Sequence, residues 1–168
     1  MSIDFLKRLG TFLTLCFLQV MLLNHIHLFG FATPLPYIAF VLHFPRSYSK
    51  NAILLWSFAM GLVIDIFGNT AGVAATSLTL MGALQPYLQL LFLPHDSEED
   101  QRPSVKALGA RSYFFYLFPF TLLYCLLFFS LEMLSFFNWF YWLKCVLGST
   151  VLTMLLIWIF ELMRRNSP

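Results

Sequence analysis

An acidic residue interrupts one of the most apolar stretches of the chain. Asp65 stands near the end of the run Gly61-Leu-Val-Ile-Asp65-Ile-Phe67-Gly68, and Gly72 follows four residues after Gly68. A carboxylate in lipid is costly, so acidic residues in membrane spans face the interior of a helix bundle and have a specific partner or task. The side chain could cap a neighbouring helix, dock the transmembrane helix of a partner, or relay protons or ions.

The spacing around Asp65 favours helix packing as the first interpretation. At intervals of three or four residues, one helical face carries Leu54, Phe58, Gly61 and Asp65. Gly61, one turn before Asp65, lets a second helix approach closely. The carboxylate would then reach the N–H groups at the start of the following helix, around residues 69–72, whose partial positive charge stabilises an anion by up to ~2 kcal/mol. We therefore expect a tight corner between the two helices.

Two other tasks for Asp65 stay open. Together with Gly61 it would also suit a docking position for a partner's transmembrane helix. A proton or ion relay is the third interpretation, although relays usually contain several intramembrane acids and Glu132 and Glu161 lie at helix ends. The sequence has no Gly-rich phosphate loop, GxSxG elbow or HExxH motif. We therefore expect a protein that is not an enzyme.

The first long apolar stretch also carries polar side chains. Gln19 lies midway along it, and Asn24 follows towards its end. A side-chain amide in a membrane helix can bond a neighbouring helix, which contributes about 0.6 kcal/mol on average. We expect both residues to take part in helix packing or partner binding. No metal ion or cofactor is expected, because the expected topology separates the histidines, which are His25, His27, His43 and His95.

The composition indicates the class of protein. Of 168 residues, 60% are hydrophobic, 11% are charged and 20 are phenylalanine. Several uncharged stretches approach or exceed the roughly 17–25 residues that cross a bilayer as a helix. The ten Lys and Arg residues are spread thinly, unlike the clustered basic surface of a nucleic-acid-binding protein. The sequence therefore predicts an all-α integral membrane protein that contacts the lipid bilayer and binds no nucleic acid.

Six transmembrane segments are expected within a single membrane domain that covers residues 1–168: 9–29, 35–44, 51–67, 70–93, 113–131 and 139–161. The second has only about ten residues between Pro34 and Pro45, too few at ~1.5 Å per residue for a hydrocarbon core of ~30 Å. It either crosses where other helices shield it or turns back as a re-entrant element. If it crosses, both termini are cytoplasmic and only Lys144 among the basic residues lies outside, as the positive-inside rule favours.

The remaining features concern the second half of this domain. A hydrophilic segment at residues 94–111, with four acids between 96 and 100, is expected to be a solvated cytoplasmic linker. Small residues that begin at Gly72 indicate that the fourth helix packs closely against its neighbours. Pro86, within the same helix, removes a backbone donor and is expected to kink it.

The order of several of these residues resembles a known family. The resemblance to the rod shape-determining protein MreD covers about residues 16–95 and rests on Gln19-Val-Met-Leu-Leu-Asn24, Phe29-Gly30, Pro34, Pro36-Tyr37, Phe44-Pro45, Phe58-Ala-Met-Gly61-Leu-Val-Ile-Asp65-Ile-Phe67, Gly72 and Gln85-Pro86. The most specific part is the Phe-x-x-Gly-Leu-x-x-Asp-x-Phe run that ends at Phe67. Gln85 departs from the pattern, because many relatives have a basic residue there.

The resemblance implies a small subunit of the bacterial elongation machinery in the inner membrane. Such a subunit associates with the bitopic protein MreC, and through it with the MreB filament and the peptidoglycan synthases that determine rod shape. Gly61 and Asp65 would be the first candidates for contact with MreC, followed by Gln19 and Asn24. The family also resembles the six-helix substrate-binding subunits of energy-coupling-factor transporters in fold. Self-association stays open.

The alternative function is that of a transport subunit that binds a small molecule. The likeness in fold supports it only by association. The substrate-binding subunits commonly carry spaced alanines on their first helix, where they dock their membrane partner, and the segment Thr11-Phe-Leu-Thr-Leu-Cys-Phe-Leu-Gln19 contains none. We therefore expect a scaffold rather than a transporter.

Overall fold

The computed structural model describes residues 3–21, 32–92, 102–133 and 138–166. These residues are helical apart from short connections, which confirms the all-α class. The helices are α1 (Ile3–Met21), α2 (Ala39–Leu42, preceded by a 3-10 turn at Pro36–Ile38), α3 (Lys50–Gly68), α4 (Val73–Phe92), α5 (Val105–Glu132) and α6 (Trp139–Asn166).

Three of these helices are long and apolar enough to cross a membrane by length and composition: α3, α5, and α6 over Trp139–Arg164. The chain therefore has the character of a membrane protein. The described part of α1 includes Asp4, Lys7 and Arg8, and the rest of the expected first span lies outside the described residues. In α4, Gln85, Pro86 and Gln89 lower the mean hydropathy of a helix of 20 residues.

The second expected segment is short and buried within the bundle. Only residues Pro36–Leu42 of the expected 35–44 are helical. Tyr37, Ile38, Val41 and Leu42 are fully buried. Other helices therefore surround this segment, and irregular backbone is tolerated at membrane depth only where protein covers it.

Two helical hairpins enclose this segment. The α3 and α4 helices pack along each other, as do α5 and α6, while α4 joins the two pairs by packing against α5. The α1 helix packs against α3, where the Cys16 and Met60 sulfur atoms lie 3.1 Å apart. The core is thus a bundle around residues 35–44.

The fifth helix begins earlier than the sequence predicted. It starts at Val105, not at residue 113, so the expected linker 94–111 is wrong in its last seven residues. Ser104 explains the early start, because its side chain caps the helix by accepting a hydrogen bond from the Ala107 amide at 3.2 Å. Gly109, with φ at +78°, interrupts the helical backbone one turn later. The acidic residues 96–100 lie outside the described residues.

The two ends of the bundle differ in charge. Contacts bring together the starts of α1, α3 and α5 and the ends of α2, α4 and α6; we call this the basic end. There the Arg8 guanidinium lies 4.1 Å from the centre of the Tyr48 ring, and Arg46 donates to the Gln89 carbonyl at 2.8 Å. The opposite end, where Asp65 lies, is called the Asp65 end.

Candidate functional site

The Asp65 carboxylate caps the start of α4. One oxygen accepts hydrogen bonds from the Ala74 amide at 2.9 Å and from the Thr70 hydroxyl. The other accepts from the Ala75 amide at 2.8 Å. The side chain is buried, so a helix N-terminus meets the cost of a carboxylate in an apolar bundle. The predicted corner between the third and fourth helices is confirmed, although the amides belong to residues 74 and 75 rather than 69–72.

Gly61 is the point where α3 and α4 touch. A Cβ placed on Gly61 would lie 2.3 Å from the Ala75 Cα and 2.7 Å from the Ala74 carbonyl oxygen. No side chain fits in that space, so only glycine permits the two backbones to meet one turn before Asp65. The buried faces of Gly61 and Asp65 therefore contact this chain's own α4, which is the kind of contact that the helix-packing interpretation describes.

Two residues of the predicted run lie on a different face of α3. Phe58, placed by its spacing on the face of Gly61 and Asp65, is 48% exposed. Its assignment to that face is wrong, because the buried stripe runs through Ser57 and Met60 instead. Phe67 is 64% exposed, so it does not pack into the bundle.

Gly72 and Pro86 have local roles in α4. Gly72 adopts φ of +81°, a conformation that favours glycine, and its carbonyl accepts the Thr76 amide at 3.0 Å as the helix begins. The helix continues through Pro86 to Phe92. Asn24, the remaining predicted site residue, lies outside the described residues.

The buried segment before α2 takes its hydrogen bonds from polar side chains of α6. The Thr33 amide donates to the Ser149 hydroxyl at 3.0 Å, and the Leu35 amide donates to the Thr153 hydroxyl at 3.0 Å. Ser149 and Thr153 are one turn apart and fully buried. A buried backbone group without a partner costs free energy comparable to a lost hydrogen bond. The amides of Thr33 and Leu35 lie outside any helix, so the two hydroxyls stabilise this stretch by accepting their hydrogen bonds.

Three glutamine side chains donate hydrogen bonds to backbone carbonyl groups at the two ends of the buried segment 34–44. The Gln19 Nε2 group donates to the Pro34 carbonyl at 3.2 Å, a contact within the bundle. The Phe44 carbonyl accepts from Gln85 at 2.9 Å and from Gln89 at 2.8 Å. These glutamines are buried. Polar side chains from α1, α4 and α6 thus hold both ends of the segment.

At the basic end, His43 and Glu161 form a pair that the sequence analysis missed. The His43 Nε2 lies 3.3 Å from the Glu161 carboxylate and 3.4 Å from the Tyr113 hydroxyl. The other Glu161 oxygen accepts a hydrogen bond from the Val105 amide at 3.3 Å. The Arg164 guanidinium lies 3.9 Å from the carboxylate oxygen that faces His43. The pair joins the end of α2 to the start of α5 and the end of α6.

A cavity of about 580 Å³ adjoins this pair at the basic end. Its charged lining consists of Lys7, Arg8, Arg102, Glu161 and Arg164. Its apolar lining includes side chains from α1, α2 and α6, among them Leu15, Leu18, Phe40, Ile157 and Phe160.

Two further hollows lie towards the Asp65 end. One, of about 400 Å³, has Gln19, Tyr37, Thr70 and Glu132 in its lining. The other is an open, apolar groove of about 650 Å³ between α1 and α3, to which Phe67 contributes. We call it the α1–α3 groove; its lining is Leu13, Thr14, Cys16, Phe17, Val20, Met21, Val63 and Phe67.

The described residues bring together no three His, Cys, Asp or Glu side chains that could hold a metal ion. Comparison with known proteins adds no relative: no family model, curated protein or solved structure matches the chain.

Proposed function

We propose that this chain is a non-catalytic membrane scaffold of the bacterial cell-elongation complex, similar to MreD. It binds the transmembrane helix of the bitopic protein MreC and thereby helps to organise lateral peptidoglycan synthesis and rod shape. Its contacts with the MreB filament and the peptidoglycan synthases are indirect. The Phe58–Phe67 run and the residues around it motivate the family assignment.

The observation that supports a scaffold best is that the polar side chains inside the bundle form hydrogen bonds with other groups of the same chain. The Asp65 carboxylate accepts two backbone amides and a hydroxyl of its own chain. Gln19 and Gln85 donate to backbone carbonyls. A proton relay needs groups that can exchange partners, whereas each of these groups holds the fold together. The interaction surface must therefore be sought on the outside of the bundle.

The α1–α3 groove is the surface that suits a partner helix. Phe17 is 65% exposed and Phe67 is 64% exposed, and both line it. Val20 and Val63, which have smaller side chains, also line it. Helices associate in a bilayer mainly through close van der Waals packing, and an open groove offers more contact to a helix than a flat face. Phe67 is therefore the proposed partner-contact residue. Gly61 and Asp65 do not contact the partner but hold α3 against α4.

The proposed location is the bacterial inner membrane, with both termini in the cytoplasm. Lys7, Arg46, Lys106 and Arg164 lie at one end of the bundle, whereas Lys144 lies near the start of α6. Lys and Arg flanking membrane spans favour the cytoplasmic side. This orientation puts the basic end inside and the Asp65 end outside.

A truncation of the groove tests the proposed contact. Phe17→Ala should reduce the amount of MreC that co-purifies with the chain from membranes, because the exposed Phe17 side chain lines the groove. Phe115→Ala is the matched control, since Phe115 is 55% exposed on α5, away from the groove. Equal recovery of MreC with both variants would exclude the α1–α3 groove as the contact surface.

A second candidate function is a small-molecule-binding subunit of a transporter. It is favoured by the 400 Å³ hollow at the Asp65 end, whose size falls within the ~300–1,000 Å³ range of ligand sites. Native mass spectrometry of gently extracted protein separates the two functions. A stoichiometric vitamin-sized ligand would support transport, and a co-purifying bitopic protein would support the scaffold.

A further inference from the structure

The cavity of about 580 Å³ at the basic end, which we call the basic cavity, has a positively charged lining in the part of the chain that the structure describes. Lys7, Arg8, Arg102 and Arg164 line it, and Glu161 is the one carboxylate among its described lining residues. Glu161 is already engaged with His43 at 3.3 Å and with the Val105 amide. Clustered Lys and Arg attract anions.

The remaining wall of the same cavity is hydrocarbon. Leu15 and Leu18 come from α1, Phe40 comes from α2, and Ile157 and Phe160 come from α6. The cavity therefore has a cationic region and an apolar region. A free phosphate or a soluble nucleotide would leave the apolar region without a matching partner. The chemistry that matches both is an amphiphile with an anionic headgroup.

The length of the cavity fits a lipid. Arg8 and Leu18, both in the lining, are ten residues apart in α1, which corresponds to ~15 Å along a helix. Half of a hydrocarbon core of ~30 Å has the same depth. A headgroup beside Arg8 would therefore place an acyl chain against Leu18 at a depth that one leaflet provides.

Two aromatic rings hold Arg8 in place in the lining of this cavity. Its guanidinium carbon lies 4.1 Å from the centre of the Tyr48 ring and 4.8 Å from that of Phe44. Stacking on aromatic rings orients the planar guanidinium group, and arginine binds phosphate through two parallel N–H donors. Lys7 precedes it on the same helix and adds a point charge.

We propose that the basic cavity binds an anionic glycerophospholipid. The phosphodiester would lie among Lys7, Arg8, Arg102 and Arg164, with an acyl chain running between α1, α2 and α6. Basic pockets between membrane helices on the cytoplasmic side are the sites where anionic lipid headgroups bind. This proposal goes beyond the scaffold function and does not depend on MreC.

Lipid retention measured by native mass spectrometry tests the proposal. The full chain in detergent would be titrated with phosphatidylglycerol, with phosphatidylcholine of the same chains, and with inorganic phosphate. We expect one phosphatidylglycerol to be retained, in preference to phosphatidylcholine by roughly tenfold or more, and no retention of phosphate. Equal retention of the two lipids, or binding of phosphate alone, would overturn the proposal.

Charge-removing variants locate the bound lipid. Arg8→Gln/Arg164→Gln should weaken retention of phosphatidylglycerol by roughly tenfold or more. If the first variant does not fold, Lys7→Gln/Arg102→Gln replaces it, because it removes two other charges of the same lining. It should weaken retention of phosphatidylglycerol to the same extent. The matched control is Lys106→Gln/Arg111→Gln, which removes two exposed charges from the start of α5 outside the cavity. If the control loses as much lipid as the cavity variants, the binding is general surface attraction and the proposed site is wrong.

Discussion

The Cα of Ala75 lies so close to Gly61 that a Cβ added at position 61 would be 2.3 Å away. One turn later on the same helix, the Asp65 carboxylate accepts the Ala75 amide. Gly61, which has no side chain, and Asp65, which is charged, therefore stabilise the same contact between α3 and α4. The glycine allows the approach, and the acid binds the backbone amides in the first turn of α4.

Substituting this glycine should destabilise the fold. Gly61→Ala forces α3 and α4 apart, and overpacking of this kind costs about 1–3 kcal/mol. We expect a lower thermal unfolding midpoint in detergent. Gly10→Ala is the control, because nothing lies within 4 Å of a Cβ at Gly10 in the first helix. It should leave the midpoint unchanged or raise it, and equal effects at both positions would contradict the close contact.

Removing the Asp65 carboxylate should cost more than removing one of its donors. Asp65→Ala leaves the Ala74 and Ala75 amides without an acceptor, at about 1–3 kcal/mol for each buried donor. Thr70→Val removes a hydroxyl that bonds the same carboxylate but leaves both amides satisfied, so about 1 kcal/mol is expected. Chemical denaturation in detergent would compare the two variants. Similar losses would mean that the carboxylate does not hold the start of α4.

The paired glutamines of α4 should show strong coupling. Gln85 and Gln89 both donate to the Phe44 carbonyl, so each single change to leucine leaves one donor in place. The double variant leaves a buried carbonyl without a side-chain donor. We therefore expect its loss of unfolding free energy to exceed the sum of the single losses, in the range of about 0.5–3 kcal/mol for residues that share a network. Additive losses in a double-mutant cycle would contradict the shared acceptor.

Neutralising Glu161 should change stability and lipid binding in opposite directions. Glu161→Gln weakens the contacts with His43 and Arg164, so the thermal midpoint should fall. The same change removes the one carboxylate among the described lining residues of the basic cavity, so phosphatidylglycerol should be retained more strongly. Native mass spectrometry and a thermal scan of one preparation measure both effects. A fall in lipid retention would show that Glu161 itself positions the lipid.

The periodicity of the sequence was sufficient to predict contacts between residues that are close together in the chain. The corner at Asp65 could be predicted because its donors lie nine and ten residues further along the chain. The apolar composition likewise predicted membrane helices, and three of them satisfy length and composition in the described residues. The start of α5 was misplaced, because a cap at Ser104 outweighs the polar character of the residues after it.

Contacts between distant residues could not be predicted in this way. His43 and Glu161 are far apart in sequence. His43 was considered only as a metal ligand, and Glu161 only as an acid at a helix end. The roles of Ser149 and Thr153 were also missed, because their hydroxyls bond backbone amides more than 100 residues away. The available signal was indirect: a segment too short to be an ordinary span needs hydrogen-bond partners from the helices that cover it.

The proposed scaffold function is tested most directly by photocrosslinking in the membrane. A photoreactive amino acid at Leu13, which is 58% exposed in the α1–α3 groove, should crosslink to the transmembrane helix of MreC. The same residue at Leu155, which is 54% exposed on α6, should not. Crosslinks from position 155 and none from position 13 would contradict the account, because the partner would then occupy a different face of the bundle.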